Sequence, residues 1–295
     1  MNKIIVCSKD SDEIEFVFSS PHVTNLYLST FKQATSLDFS NFNSNSLEKI
    51  DFGYCQLLKK LDLSLFNTSK VKLMDGAFSN CEALTSLNVH NWDTSNVTDM
   101  AWMFDGCCSL VSLDLNSFNT SKVESMNEMF YECEHLETLD ISSFDFSNLD
   151  HDGNEYMFGS CSSLTHLKFG KNLRSSIDFR DCPLTHESVL SVIDGLAKIE
   201  NGYQYITFSN ETYKSLTAED CKKLFDKNWI CSTSLVFDYS LDFTGCTSLT
   251  VTNVLYSLTK TPSTKYIFID EDTIEHIDKA LIKDTLCKGF IIIAR

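Results

Sequence analysis

The sequence predicts an α/β solenoid, with a parallel sheet on one face and short helices or turns on the other. Three observations carry that expectation. A 26-residue pattern recurs along the first half, each copy holds one Leu-x-Leu pair of strand length, and a longer strand-helix unit occurs twice near the C-terminus. Fixed-period self-similarity of this kind marks repeat architectures, in which one copy cannot bury its apolar face alone and stacked copies can.

The copies beginning at Phe52, Phe78 and Phe104 are 26 residues long and align almost throughout; the copy at Phe130 is two residues longer, and one at Phe158 starts in frame and then diverges. A weaker copy precedes them. Its Leu37, Phe39, Phe42, Leu47 and Ile50 match Leu61, Leu63, Phe66, Val71 and Met74 when two residues are deleted ahead of Phe52. We therefore divide the chain into an N-terminal cap over residues 1–30, the 26-residue repeats over 31–174, and two longer units with a C-terminal cap over 175–295.

Within a copy, Leu61/Leu63, Leu87/Val89, Leu113/Leu115, Leu139/Ile141 and Leu167/Phe169 alternate as in a short strand with one buried face. The Asn or Asp that opens NTSK, DTSN, NTSK and DFSN can bond backbone two residues on, so the chain turns there. The return arm carries Val71, Met74 and Phe78, then Val97, Met100 and Phe104, a spacing of three to four that predicts a short helix or helical turn.

After about Ser175 the short period stops. IDFRDCPLTHESVLSVIDGLAKI from Ile177 matches LDFTGCTSLTVTNVLYSLTKTP from Leu241, and each is followed by a further strand and helix, from Tyr205 and from Tyr266. Thr185 and Thr217, each ahead of an acidic first turn, are the expected helix N-caps. These units read as a continuation of the solenoid with longer helical return arms, or else as a separate α/β domain.

Composition narrows the function classes. The 41 acidic against 24 basic residues, a formal charge of −17, repel phosphate backbones, so no nucleic-acid partner is expected. The longest apolar runs are strand-sized, so no membrane insertion is expected, and the N-terminal MNKIIVCSKDSDEIEF lacks the apolar stretch of an export signal. That places the protein in the cytoplasm or a virion ahead of a surface reached by ordinary secretion.

The Cys column of Cys55, Cys81, Cys107, Cys133 and Cys161, continued by Cys182 and Cys246, reads as inward thiols that stay reduced. The tight Cys or His pairs of a zinc site are missing, and no metal or other cofactor is expected. The aromatic column Phe42, Phe66, Trp92, Phe118 and Phe144 reads as core stacking, with a carbohydrate platform as the alternative should Trp92 prove exposed. The seven His are scattered, with His151 beside Asp150, Asp152 and Glu155 in an irregular insertion; no Gly-rich phosphate loop, H-E-x-x-H or G-x-S-x-G occurs, and no catalytic residue is assigned.

The candidate ligand surface is the outward strip of the strands. Its middle column is Asp62, Asn88, Asp114 and Asp140, preceded by Asp38 and ending at Lys168. Ser86, Ser112 and Thr138 flank it on one side, with Lys60 and His166, and His90 and Asn116 on the other, with Ser64 and Ser142. The strip is either a recognition surface or the polar face that any such sheet must present to water.

The order F-x-x-C-x-x-L-x-x-L-x-L-x-x-aromatic-N/D-T/F-S-x-V/L, matched almost throughout by Phe104 to Met129, resembles the repeat of the BspA-like leucine-rich-repeat proteins of bacterial surfaces. The longer C-terminal units are similar to terminal segments of the same family. The resemblance implies a leucine-rich-repeat-like array and a noncatalytic binding role toward a protein or glycan, as in adhesion, with display on a virion or another larger assembly also in keeping with it. The alternatives are a cytosolic regulatory scaffold or effector, and an enzyme using the C-terminal half.

Overall fold

The 26-residue period is a hydrogen-bond period. The backbone N–H groups of Met74, Gly76, Phe78 and Asn80 donate to the carbonyls of Asp99, Ala101, Met103 and Asp105 at 2.9, 2.8, 2.8 and 2.6 Å. One copy later, Met100, Trp102, Phe104 and Gly106 repeat the pattern onto Ser125, Asn127, Met129 and Tyr131. Every rung thus joins one copy to the next at a constant offset.

These contacts come from a computed structural model that describes residues 2–8, 11–18, 23–29, 31–39, 42–150, 152–201, 204–232, 241–242, 251, 265–269, 271–282 and 290–294. The chain divides into two compact units, Met1–Ala197 and Lys198–Arg295. The sheets are small and mostly parallel, helices are few, and no closed barrel occurs among the described residues.

In the first unit the Leu-x-Leu pairs form the expected strands. β6 (Lys60–Asp62) pairs in parallel with β7 (Ser86–Asn88), while β8 (Ser112–Asp114), β9 (Thr138–Asp140) and β10 (His166–Lys168) make a three-stranded parallel sheet. The expected buried face is present, from Leu61 and Leu63 to Leu167 and Phe169; Leu87 alone of these pairs is only half buried.

The return arms are not helical. Between the rungs, Ala77, Ser79 and Cys81 donate to the carbonyls of Met74, Gly76 and Phe78, three residues back, so the arm is a run of four-residue β-turns. Two columns of the return arms sit in the left-handed region: Gly76, Trp102, Glu128 and Tyr156 in one, and Tyr54, Asn80, Gly106, Glu132 and Ser160 in the other. A left-handed residue cannot continue a right-handed helix. Serial turns nevertheless bury Met74, Phe78, Cys81 and Leu84 at spacings of three and four, which is why the periodicity imitates a helix.

Identical side chains stack where the copies superimpose. Phe52, Phe78, Phe104, Phe130 and Phe158 follow one another at 5.5 to 5.6 Å between ring centroids, nearly parallel, and Trp92, Phe118 and Phe144 form a second column at 6.3 Å. Trp92 is 1% exposed and its indole N–H donates to the Leu63 carbonyl at 3.0 Å, so this column is core and not a sugar platform.

The thiols of Cys81, Cys107, Cys133 and Cys161 are unpaired with one another. Each donates to the Phe carbonyl one copy back, that of Phe52, Phe78, Phe104 and Phe130, at 3.1 to 3.3 Å. Burial pushes the Cys55 thiol up to about 12 and those of Cys81, Cys107 and Cys133 higher, which holds these protonated as donors. Cys246 lies outside the described residues.

A third column is polar. The buried hydroxyls of Thr94 and Thr120 donate to the carbonyls of Asn119 and Asp145 at 2.9 and 3.0 Å and accept the N–H of the same residues at 2.7 Å. Each Thr therefore replaces one full backbone rung at the corner where the chain turns.

Both ends differ from the middle. β1 (Asn2–Ser8) pairs antiparallel with β2 (Ser11–Phe18) and with β4 (Ala34–Asp38), so residues 34–38, read above as the strand of a weak first copy, belong to an antiparallel sheet. The parallel rungs start earlier, where β3 (Asn25–Tyr27) pairs with β5 (Lys49–Asp51), and Cys55 donates to Leu28 as later thiols do to Phe.

At the other end, past β11 (Ile177–Phe179), lies α1 (His186–Gly195), N-capped by Thr185 as expected. Its Ser188 and Ser191 hydroxyls accept the N–H groups of Leu167 and Phe169 at 2.9 and 2.8 Å, occupying donors of β10 that face away from β9.

The second unit holds β12 (Gln204–Phe208) parallel to β13 (Trp229–Ser232), joined through α2 (Asn210–Ser215) and α3 (Ala218–Asp226). Thr217 caps α3 by accepting the Asp220 N–H, while the Asp220 carboxylate accepts the Thr217 N–H. β14 (Leu241–Asp242), β15 (Lys265–Ile269) and β16 (Phe290–Ala294) form a parallel sheet, and Val251, Ile267, Ile269, Ile277 and Leu281 form a core with α4 (Glu271–Ile274) following β15. The helix expected after Cys246 falls outside the described residues, apart from Val251.

Replacing Thr94 by the isosteric Val removes both hydrogen bonds to Asn119 and should cost about 2 kcal/mol in urea unfolding, whereas Thr94→Ser should cost less than half of that.

Candidate binding surfaces

The strip residues are where the sequence places them. Ser86, Ser112, Thr138, His90 and Asn116 are exposed, as are Asp62 and Asp114, and Asn88 and Asp140 are half buried. The register sets Asp62 beside Asn88, and Asp114 beside Asp140, with Ser112 beside Thr138. Asp140 also meets Lys168 at 2.9 Å, which closes that end of the strip with an ion pair.

The middle column has a local task. Asp62, Asn88, Asp114 and Asp140 each accept the backbone N–H two residues on, from Ser64, His90, Asn116 and Ser142, at 3.0 to 3.2 Å. The column therefore caps the turn that ends each strand. The Ser64 hydroxyl and N–H hold the Asp62 carboxyl below the usual range; at Asp140, burial opposes the charge, but the bonds from Ser142 and Lys168 outweigh it and lower the carboxyl. Asn88 serves as well as Asp in this role, so the turn needs the acceptor and not the charge.

A second surface lies on the return arms, and sequence reasoning missed it. A groove of about 510 Å³ is lined by Ser29, Lys49, Asp51, Gly53, Tyr54, Asp75, Gly76, Ser79, Trp102 and Asp105. The two left-handed columns build it: Tyr54 at φ 62° and Trp102 at φ 56° hold their rings outward, 47% and 45% exposed. A bulky side chain in this region costs about 1 kcal/mol or more, and such outliers gather at functional sites. The sequence did carry one signal, since Trp102 takes the slot that Gly76 fills one copy earlier.

The polar lining is partly paired. Lys49 reaches both oxygens of Asp75 at 2.8 and 2.9 Å, and Asp51 accepts the Gly53 N–H at 2.9 Å. Asp105 accepts from the Ser79 hydroxyl and the Asn80 amide. Burial raises the Asp105 carboxyl, and repulsion from Glu132 and Glu128 adds to it against those two bonds. Lys32 lies over the Tyr54 ring, 5.3 Å from its centroid.

Two other expectations bear on chemistry. Among the described residues no group of three or more His, Cys, Asp or Glu converges as a metal site. His22 and His151 lie outside the described residues, but the insertion that holds His151 is localised: the Asp150 N–H keeps the 26-residue offset to Glu124, while the Met126 N–H reaches Gly153 instead of a residue 25 ahead. The two extra residues therefore fall between Asp150 and Gly153. No helix among the described residues is long and apolar enough to cross a membrane.

A family model described as "Mycoplasma protein of unknown function, DUF285" matches residues 45–168, the stretch of 26-residue copies, and is compatible with the BspA-like repeat proteins. No curated protein and no solved structure matches the chain.

Two sets of variants separate structural from exposed roles. Replacing Asp62, Asp114 and Asp140 together by Asn should leave Tm within about 2 °C, while the triple Ala variant should lower it by roughly 4 °C or more in calorimetry. Trp92→Ala should cost about 3–5 kcal/mol as a core deletion, whereas Trp102→Gly, which relaxes the left-handed backbone, should change stability by less than about 1 kcal/mol.

Proposed function

We propose that the chain is a noncatalytic binding protein whose stacked copies form a leucine-rich-repeat-like solenoid of the surface-protein type, presenting its exposed residues to a protein or glycan. The observation that carries this reading is the division of labour within each copy. The Phe, Cys and Thr columns repeat because each contacts the neighbouring copy, whereas several outward positions change from copy to copy, as from Gly76 to Trp102 and from Lys60 to Ser86 and His166. A scaffold that repeats and a surface that varies is the form in which such arrays create extended binding faces. The match of residues 45–168 to a repeat family agrees with this reading.

The test is capture of ligands from extracts of the native source and from a glycan array, using the whole chain beside the triple Asn variant of Asp62, Asp114 and Asp140. Saturable binding is expected. Partners lost with the Asn variant would assign them to the strip, and unchanged partners would assign them elsewhere. Turnover of a substrate, abolished by a single acid or nucleophile substitution, would overturn the noncatalytic reading.

A further inference from the structure

The groove on the return arms combines features that the fold itself does not require. Every other left-handed position named above carries Gly, Asn, Glu, Ser or Tyr, and stacking of the copies needs no ring at Trp102. The ring is nevertheless held half exposed beside a second half-exposed aromatic, in a concavity whose volume of about 510 Å³ lies within the range of ordinary ligand sites.

The charge of this concavity is one-sided. Three carboxylates, Asp51, Asp75 and Asp105, line it with one ammonium, and that ammonium, Lys49, is bound to both oxygens of Asp75. Among the described residues, the hydrogen bonds to Asp105 fall on Oδ2 and that to Asp51 on Oδ1, which leaves one oxygen of each for a donor from outside. Lys32 shows that the Tyr54 ring accepts an ammonium over its face.

Carboxylates with spare acceptors beside the half-exposed Trp102 ring fit a flat or compact organic cation, through charge-assisted hydrogen bonds and cation–π contact, while Lys32 already covers one face of Tyr54. A bare divalent ion would need six or more oxygens around one point. Resting on the binding reading above, we infer that the groove lined by Tyr54, Trp102, Asp51 and Asp105 is a docking site for a Lys- or Arg-bearing segment of a partner protein.

The chain's net charge of −17 attracts any polycation, so the experiment must separate the site from the field. Trp92 and Trp229 are buried, which makes Trp102 the accessible indole among the described residues and its fluorescence a local reporter. The probes are a short Gly/Arg peptide with two or three Arg, its Lys counterpart, the same peptide with citrulline for Arg, and maltohexaose. They are titrated against the full chain at physiological salt and again at 0.5 M salt.

Binding of the Arg and Lys peptides is expected, with protection of Trp102 from acrylamide, at least tenfold weaker binding at high salt, and none with citrulline. Trp102→Gly and Asp105→Asn, which keep the left-handed backbone and the acceptor for Ser79, should each weaken binding about tenfold or more, read by titration calorimetry because the first variant removes the reporter. The triple Asn variant of Asp62, Asp114 and Asp140, which removes three charges elsewhere, should change it less than twofold. Equal loss in the strip variant, or no loss in the groove variants, overturns the site. Maltohexaose in place of the cationic peptides would make it a glycan site and overturn the inference while leaving the binding reading intact; turnover of a substrate would overturn the reading itself.

Discussion

The first unit depends on one constraint: each copy must present its backbone donors to the next copy in phase. The rungs from Met74 to Asp99, Gly76 to Ala101 and Phe78 to Met103 all span the same number of residues, so a shift of one position would break every rung at once. That demand explains the interior columns. Phe rings stack because the backbone sets them one rung apart, Cys thiols reach a carbonyl that the turn leaves on the inner side, and Thr hydroxyls stand in where the corner interrupts the ladder. Apolar burial drives the collapse, and the polar partners fix its register.

Much of this could be read from the sequence because a column reports the same environment several times over. The Leu-x-Leu strands, the inward Cys, the Asn or Asp turns and the Thr185 cap each rest on residue types with a defined mechanism. The return arm reads as helical because spacing alone does not distinguish a helix from serial β-turns. The distinguishing feature is backbone handedness, and Tyr54, Glu128 and Glu132 do not announce a positive φ as Gly does. The N-terminal sheet was misassigned for a related reason: Leu37 and Phe39 fit the apolar pattern of a repeat, and antiparallel pairing with β1 satisfies the same pattern.

The candidate surfaces were legible to different degrees. The strip followed from alternation along a strand, but its Asp column turned out to cap turns, so a recurring acid there reflects backbone need before recognition. The groove was hidden because its residues come from four successive copies and the end of the N-terminal cap, at positions where the pattern is weakest. A repeat alignment emphasises what recurs. The residues that make one copy unlike its neighbours, such as Trp102 after Gly76, are where a periodic scaffold carries individual chemistry.

The serines of α1 have a consequence for association between molecules. An uncovered parallel edge at β10 would offer its donors to any extended segment, including the equivalent strand of a second molecule, and repeat arrays are by construction good templates for their own kind. Ser188 and Ser191 occupy the Leu167 and Phe169 donors with side-chain oxygens, on a helix that cannot itself be extended as a strand. At this edge, growth by strand addition is terminated chemically as well as sterically.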